Sequence, residues 1–238
     1  MSIKNPEEKI IVALDSPSFG HAFSVVLKLR EKIKLFKVGP VLFLSNGPSG
    51  IEQLKDLEVD IFMDLKFHDI PSTVEKTMEH IVNYGVKMFT IHSLGGFDMM
   101  NSVCERIKKE AKKKKKPKPM VLAVTMLTSH DEKNIKDLGL NSNIKDQVLR
   151  LTALSDKAGV DGIVCSGHEV EYLKKEFADR FTYIVPGIRM GDKLHDQKRY
   201  ISPAEAFEKG ADYLVIGRSI TESHKPELVV DQILDSLK

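Results

Sequence analysis

Asp64 and Lys66 stand two residues apart at the end of an apolar run, and Asp69 follows three residues later. Residues at i and i+2 of an extended strand project to the same side, so a carboxylate and an ammonium are expected side by side. Lys37 lies in a second apolar run that ends in Val38-Gly39, Asp15 follows a third, and Gly217-Arg218 follows a fourth. Charges at the ends of apolar strands are costly unless they are paired or have a task. The plain alternative is an ion-pair network that only closes the end of a core. Four charges at successive strand ends favour a site.

Gly217-Arg218 suits a phosphate. Glycine lets backbone N–H groups approach an anion, and a short helical turn after it would add its positive end. Pro186-Gly187-Ile188-Arg189 opens a charged segment running to Gln197, expected to be a loop that folds over the phosphate with Arg189 and Gln197 as donors.

These residues need elements to hold them. Short β-branched runs alternate with longer helical patterns throughout: Ile10–Leu14, Leu35–Val38, Asp60–Leu65, Met88–Ile91, Val121–Val124, Gly162–Cys165, Tyr183–Val185 and Tyr213–Ile216. Most are continuously apolar, as parallel strands covered on both faces should be. Ala22, Val25, Val26 and Leu29 recur at helical spacing, as do Ile144, Val148, Leu151, Leu154 and Ala158, and Leu228, Val230, Ile233, Leu234 and Leu237 predict a last helix. Ser18, Ser72 and Ser202 are expected as helix caps. Eight β/α units without a dividing linker predict one α/β domain over residues 1–238, a (β/α)8 TIM barrel. An open nucleotide-binding sheet would carry Gly-x-Gly-x-x-Gly after its first strand, where this chain reads Ala-Leu-Asp-Ser-Pro. In a barrel, strand ends and following loops form the active face.

With 42% hydrophobic and 29% charged residues, the composition is that of a globular protein and excludes a disordered chain. The polar segment Met1 to Lys9 is no signal peptide, and no apolar run approaches the roughly 20 residues needed to cross a bilayer. Cys104 and Cys165 lack metal-ligand spacing, and two reduced thiols predict a cytoplasmic protein with no membrane association. The segment from Lys108 to Lys118 carries a local +7, which leaves −5 for the rest of a chain whose formal charge is +2. No aromatic residue interleaves with these lysines, so a solvated helix end is expected here and no nucleic-acid surface.

The run Asp64-Leu65-Lys66-Phe67-His68-Asp69-Ile70-Pro71 resembles the signature of the orotidine 5′-phosphate decarboxylase family, bacterial type. Ala13-Leu14-Asp15, Lys37-Val38-Gly39, Leu127-Thr128-Ser129, Val164-Cys165-Ser166, Pro186-Gly187-Ile188-Arg189 and Val215-Ile216-Gly217-Arg218 extend the resemblance in the family's order to about residue 220. It implies decarboxylation of orotidine 5′-monophosphate to UMP and CO2, the last step of de novo pyrimidine nucleotide synthesis, without metal or organic cofactor. It implies that Lys66 protonates C6 and that Asp64 lies beside the departing carboxylate. By the same resemblance Lys37 orients Asp64 and contacts the ribose, and Asp15 binds the ribose hydroxyls. Asp69 is implied to reach the neighbouring subunit's site, which makes the expected assembly a homodimer. Ile70, Thr73, Thr128, Ser129 and Pro186 are carried over on the substrate side, and Arg189, Gln197, Gly217 and Arg218 around the phosphate. Ser72 replaces a more usual Asn, Ser219 a common Pro, and the stretch after Arg189 departs from the family's Pro-containing loop. His68, His92 and Cys165 are read as support.

Three other functions are compatible with parts of the sequence. A related barrel lyase acting on a sugar phosphate would use Mg²⁺ with a further acidic ligand, whereas Lys37 suits a metal-free site. A nucleic-acid binder would rest on Lys112 to Lys116 alone. A barrel kept only as a structural partner would not need Lys37, Asp64, Lys66 and Asp69 together.

Overall fold

The apolar runs pair in parallel, each with the next, and the last pairs with the first to close a barrel in the order β1 to β8. The structure is a computed structural model and describes residues 3–140, 142–189 and 201–238. The strands are β1 (Ile10–Ala13), β2 (Leu35–Val38), β3 (Asp60–Phe67), β4 (Met88–His92), β5 (Met120–Val124), β6 (Gly162–Val164), β7 (Thr182–Val185) and β8 (Tyr213–Ile216). The helices around them are α1 (Phe19–Leu29), α2 (Pro40–Lys55), α3 (Pro71–Tyr84), α4 (Gly96–Lys114), α5 (Glu132–Asp137), α6 (Ile144–Ala158), α7 (Val170–Phe177), α8 (Pro203–Glu208), α9 (Arg218–Thr221) and α10 (Pro226–Asp235).

Period-2 alternation splits each strand between two cores. One set of side chains packs outward against the helices, where α1 buries Ala22, Val25, Val26 and Leu29 as its spacing predicts. The other set fills the barrel interior: Ile11 and Ala13 from β1, Leu35 from β2, Phe62 from β3, Met88 from β4, with Leu122, Ile184 and Val215. This inner register positions the site. The next inward residue after Leu35 is Lys37, after Phe62 it is Asp64, after Met88 it is Thr90, and beyond Ala13 it is Asp15. A polar layer therefore lies directly on the apolar one, at the C-terminal ends of β1 to β4.

Several local readings change. β3 runs two residues past Leu65, for the reason given below. Ser18 and Ser202 cap α1 and α8 by accepting from His21 N–H and Glu205 N–H. Ser72 does not cap: α3 starts at Pro71, whose fixed φ suits a first helical position, and the cap residue is Ile70. In α10, Val230 and Ile233 are buried but Leu228 is exposed. The lysine run ends α4 and lies at the opposite end of the barrel from the strand C-termini. There Lys114 Nζ donates to Glu79 Oε1 (3.0 Å) and Asn83 Oδ1 (2.8 Å), and Lys116 Nζ donates to Asn83 O (2.8 Å). Part of the run thus ties α4 to α3. Among the described residues, no helix is long and apolar enough to cross a membrane.

Candidate active site

Lys37 is the most enclosed charged residue of the polar layer, its side chain only 9% exposed. Its ammonium donates to both Asp15 oxygens, at 2.8 and 3.0 Å, and lies 3.6 Å from Asp64 Oδ2. Lys66 Nζ donates to the other oxygen, Asp64 Oδ1, at 2.9 Å. The four charges thus alternate in sign, Asp15, Lys37, Asp64, Lys66. The expectation that both lysines face Asp64 is met, and Lys37 holds Asp15 more closely than Asp64. Gly39 makes room for this pair: a Cβ there would sit 2.7 Å from Asp15 Oδ1 and 3.3 Å from Lys37 Nζ. Its φ of −94° is open to any residue, so the requirement is space.

Burial alone would raise the pKa of the Asp64 carboxyl. The charges of Lys37 and then Lys66, with hydrogen bonds from Lys66 and Thr90, outweigh it and hold the pKa below its ordinary value. Asp64 is therefore a carboxylate at neutral pH, fixed between two ammonium groups.

Lys66 reaches its place by a route that alternation did not foresee. The β3–β4 register passes from Met63 opposite Phe89 to Phe67 opposite Ile91, so Asp64, Leu65 and Lys66 together face the single residue Thr90. Lys66 sits at φ 48°, a left-handed conformation costly for a residue with a side chain. Its N–H finds no ladder carbonyl and donates instead to Thr90 Oγ1 at 2.9 Å, while the Thr90 hydroxyl donates to Asp64 Oδ1 at 2.9 Å. Thr90 was not singled out from sequence. A lone hydroxyl in the apolar run Met88-Phe89-Thr90-Ile91, beside a charged strand, is the signal that could have found it.

Asp69 is not part of this cluster. It lies exposed after β3, where its carboxylate accepts from Ile70 N–H at 2.7 Å and bonds neither lysine of its own barrel. Ile70 and Thr73 are exposed beside it, at the start of α3. Thr128 and Ser129 follow β5 in a turn closed by His130 N–H donating to Leu127 O (2.9 Å). Pro186 and Arg189 follow β7. The Arg189 N–H donates to Ile201 O (3.2 Å) and Ile201 N–H to Gly187 O (3.3 Å), which fixes Arg189 at the base of the following segment. Gln197 lies outside the described residues. Gly217 precedes α9, and Arg218 opens it, exposed at the barrel mouth. The strand ends thus bring Asp15, Lys37, Asp64 and Lys66 together, with Thr128, Arg189, Gly217 and Arg218 on the same face of the barrel.

His68 and His92 stack with ring centroids 5.4 Å apart, next to this cluster. Burial, then the neighbouring charges of His68, Lys66 and His130, push the His92 pKa down to about 4, so it is neutral at pH 7. Cys104 and Cys165 are buried, and burial pushes the Cys104 thiol up to about 12 and the Cys165 thiol well above its ordinary value. Neither is poised as a nucleophile. Among the described residues, no three His, Cys, Asp or Glu side chains gather as metal ligands. Between Asp15 and Asp64, where two carboxylates would attract a cation, the Lys37 ammonium already sits.

Comparison with known proteins agrees with this geometry. Residues 8–233 match the model of the "Orotidine 5'-phosphate decarboxylase / HUMPS family". The chain is 40% identical over 238 residues to the orotidine 5'-phosphate decarboxylase of Geobacter metallireducens, covering 100% of this chain and 99% of that one. It is 40% identical over 232 residues to the enzyme of the same name from Actinobacillus succinogenes, covering 97% and 98% of the two chains. Among solved structures, orotidine 5'-phosphate decarboxylase from Lactobacillus acidophilus superposes with a TM-score of 0.85 at 31% identity, over 97% of this chain and 99% of that one. An uncharacterized conserved protein from Geobacillus kaustophilus gives the same TM-score at 29% identity, over 96% and 100%. By fold, site and sequence, the chain belongs to the orotidine 5'-phosphate decarboxylase / HUMPS family.

Proposed function

We propose that this protein is a carbon–carbon lyase that converts orotidine 5′-monophosphate to UMP and CO2, the closing step of pyrimidine nucleotide synthesis. The observation that carries the reading is the Asp64 carboxylate held between Lys37 and Lys66 on the open end of the barrel. The C6–carboxylate bond breaks, its electron pair stays on C6, and CO2 departs. The Lys66 ammonium stabilises that pair and transfers a proton to C6, after which solvent reprotonates the amine. Asp64, fixed as an anion, lies beside the substrate carboxylate and disfavours the bound ground state relative to the transition state. Lys37 holds Asp64 and Asp15 in register, and Asp15 takes the ribose hydroxyls. Thr128 and Ser129 face the pyrimidine, with Pro186 lining the pocket. Arg189, Gln197, Gly217 and Arg218 hold the phosphate, whose binding far from C6 supplies energy for alignment.

Asp69 acts across a homodimer in this reading, together with Ile70 and Thr73. Its separation from its own barrel's lysines supports this, as do the exposed apolar side chains Val41, Leu44, Ile70 and Phe97, which all follow the ends of β2, β3 and β4. The two unpaired thiols suit a cytoplasmic place.

A sugar-phosphate lyase of the same family would bring Mg²⁺ and another acidic ligand to this face. The Lys37 ammonium between Asp15 and Asp64 favours the nucleotide instead. The test is to mix EDTA-treated protein with orotidine 5′-monophosphate and follow the pyrimidine absorbance change. Turnover undiminished by EDTA is expected. Absence of turnover, or its dependence on added Mg²⁺, overturns the reading.

A further inference from the structure

We propose that Thr90 is a positioning residue for the reaction, its single hydroxyl clamping both the Lys66 backbone and the Asp64 carboxylate in the arrangement the chemistry needs. Its kinetic test rests on the decarboxylase reading, and its structural test on the two hydrogen bonds of Thr90.

Three observations converge on Thr90. It is fully buried, with none of its surface open to solvent, so water cannot take over its hydrogen bonds. It is the one residue of β4 opposite the three-residue bulge Asp64-Leu65-Lys66. Its Oγ1 accepts from Lys66 N–H and its hydroxyl hydrogen goes to Asp64 Oδ1, both at 2.9 Å. The direction of each bond is therefore fixed, because a backbone N–H can only donate and an ionised carboxylate can only accept.

The two bonds do different work. The bond from Lys66 N–H satisfies a backbone donor that the bulge removes from the β3–β4 ladder, and so holds Lys66 at φ 48°. The bond to Asp64 fixes which carboxylate oxygen faces which lysine: Oδ1 meets Thr90 and Lys66, leaving Oδ2 for Lys37. Without the hydroxyl, a strained backbone and a nearly buried carboxylate each lose a partner in a place where displacements of about 1 Å can cost on the order of 10²-fold in rate. Valine keeps the shape of threonine and removes both bonds. Serine keeps the hydroxyl and removes only a methyl group.

The charged and titratable groups facing Asp64 are Asp15 beyond β1, Lys37 on β2, Lys66 on β3, and the His68–His92 pair beside it. None of them is changed by substitutions at position 90. The experiment compares wild type, Thr90→Val and Thr90→Ser by kcat and KM for orotidine 5′-monophosphate, by thermal midpoint, and by carboxyl NMR titration of Asp64. Thr90→Val is expected to lower kcat by about 10–100-fold with KM within threefold, and Thr90→Ser to recover kcat to within fivefold of wild type. A kcat within threefold of wild type in Thr90→Val overturns the proposal, as does a parallel fall of both variants in step with their thermal midpoints. If the valine variant does not fold, Thr90→Ala takes its place in the same comparison. If wild type itself fails to turn over the nucleotide, the decarboxylase reading falls and the titration still decides. A raised Asp64 pKa in the valine variant, restored by serine, upholds the clamp, and identical titrations overturn it.

Discussion

Replacing Lys37 by methionine keeps the unbranched stem, one atom shorter, and removes the ammonium that three carboxylate oxygens share. Breaking a buried ion pair from one side costs roughly 3–5 kcal/mol, because the remaining charge is left without its partner. Here the cost is smaller. Asp15 is 52% exposed and recovers water, and Asp64 keeps Lys66 and Thr90. A loss of about 2 kcal/mol at pH 7 follows, which for a domain of about 240 residues lowers Tm by about 4–8 °C. The loss should depend on pH. In wild type the Asp64 pKa is depressed, so its contribution to stability is complete above the ordinary carboxylate value and is lost as pH falls through the native value. In Lys37→Met the strongest of the groups opposing burial is gone, the pKa rises, and the native variant takes up its proton at higher pH than wild type does. The gap in Tm between the two proteins is therefore widest near pH 7 and narrows towards pH 3.5. Differential scanning calorimetry across that range reads it directly. A gap that stays constant with pH, or no gap at pH 7, refutes the reasoning.

In the proposed phosphate-binding role of Arg218, Arg218→Ala would remove a charge-assisted contact of about 1.5–3 kcal/mol and raise KM for the nucleotide about 10–150-fold; initial-rate kinetics showing an unchanged KM would place the phosphate elsewhere. Gly39→Ala puts a methyl group 2.7 Å from Asp15 Oδ1 and should displace that carboxylate from Lys37, raising KM about tenfold for one weakened charged hydrogen bond; kinetics indistinguishable from wild type would show that the pair has slack. His92, with its pKa lowered to about 4, stays neutral in the fold while an unfolded chain protonates near 6.5, so it costs stability as pH falls from 6.5 towards 4. His92→Gln should flatten that part of the Tm–pH curve, and a curve of unchanged slope would remove His92 as its source.

Much of this was legible in the sequence because parallel barrel strands are simple objects. β2 and β8 begin and end where their apolar runs do, and the inner faces of β1, β2 and β3 place Asp15, Lys37 and Asp64 on one rim by alternation alone. Alternation fails where the backbone leaves the pleat. Lys66 shares a side with Asp64 through a left-handed bulge, which no propensity reports because it is held by a side chain on the neighbouring strand. Thr90 stayed hidden for the same reason, since its importance lies across the sheet and an isolated threonine on a buried strand reads as packing. Ser72 was misread because Pro71 had already started α3. Leu228 is exposed because α10 has one helical stripe to bury, and Val230 and Ile233 already fill it.

The role of Lys66 bears the most weight. Purified Lys66→Ala protein, assayed for CO2 release from orotidine 5′-monophosphate and separately for UMP binding by calorimetry, isolates it. Release is expected to fall to background while UMP still binds within about tenfold of wild type, because in the proposed role the ammonium acts on C6 only as charge develops there. Sustained CO2 release by that variant would contradict it.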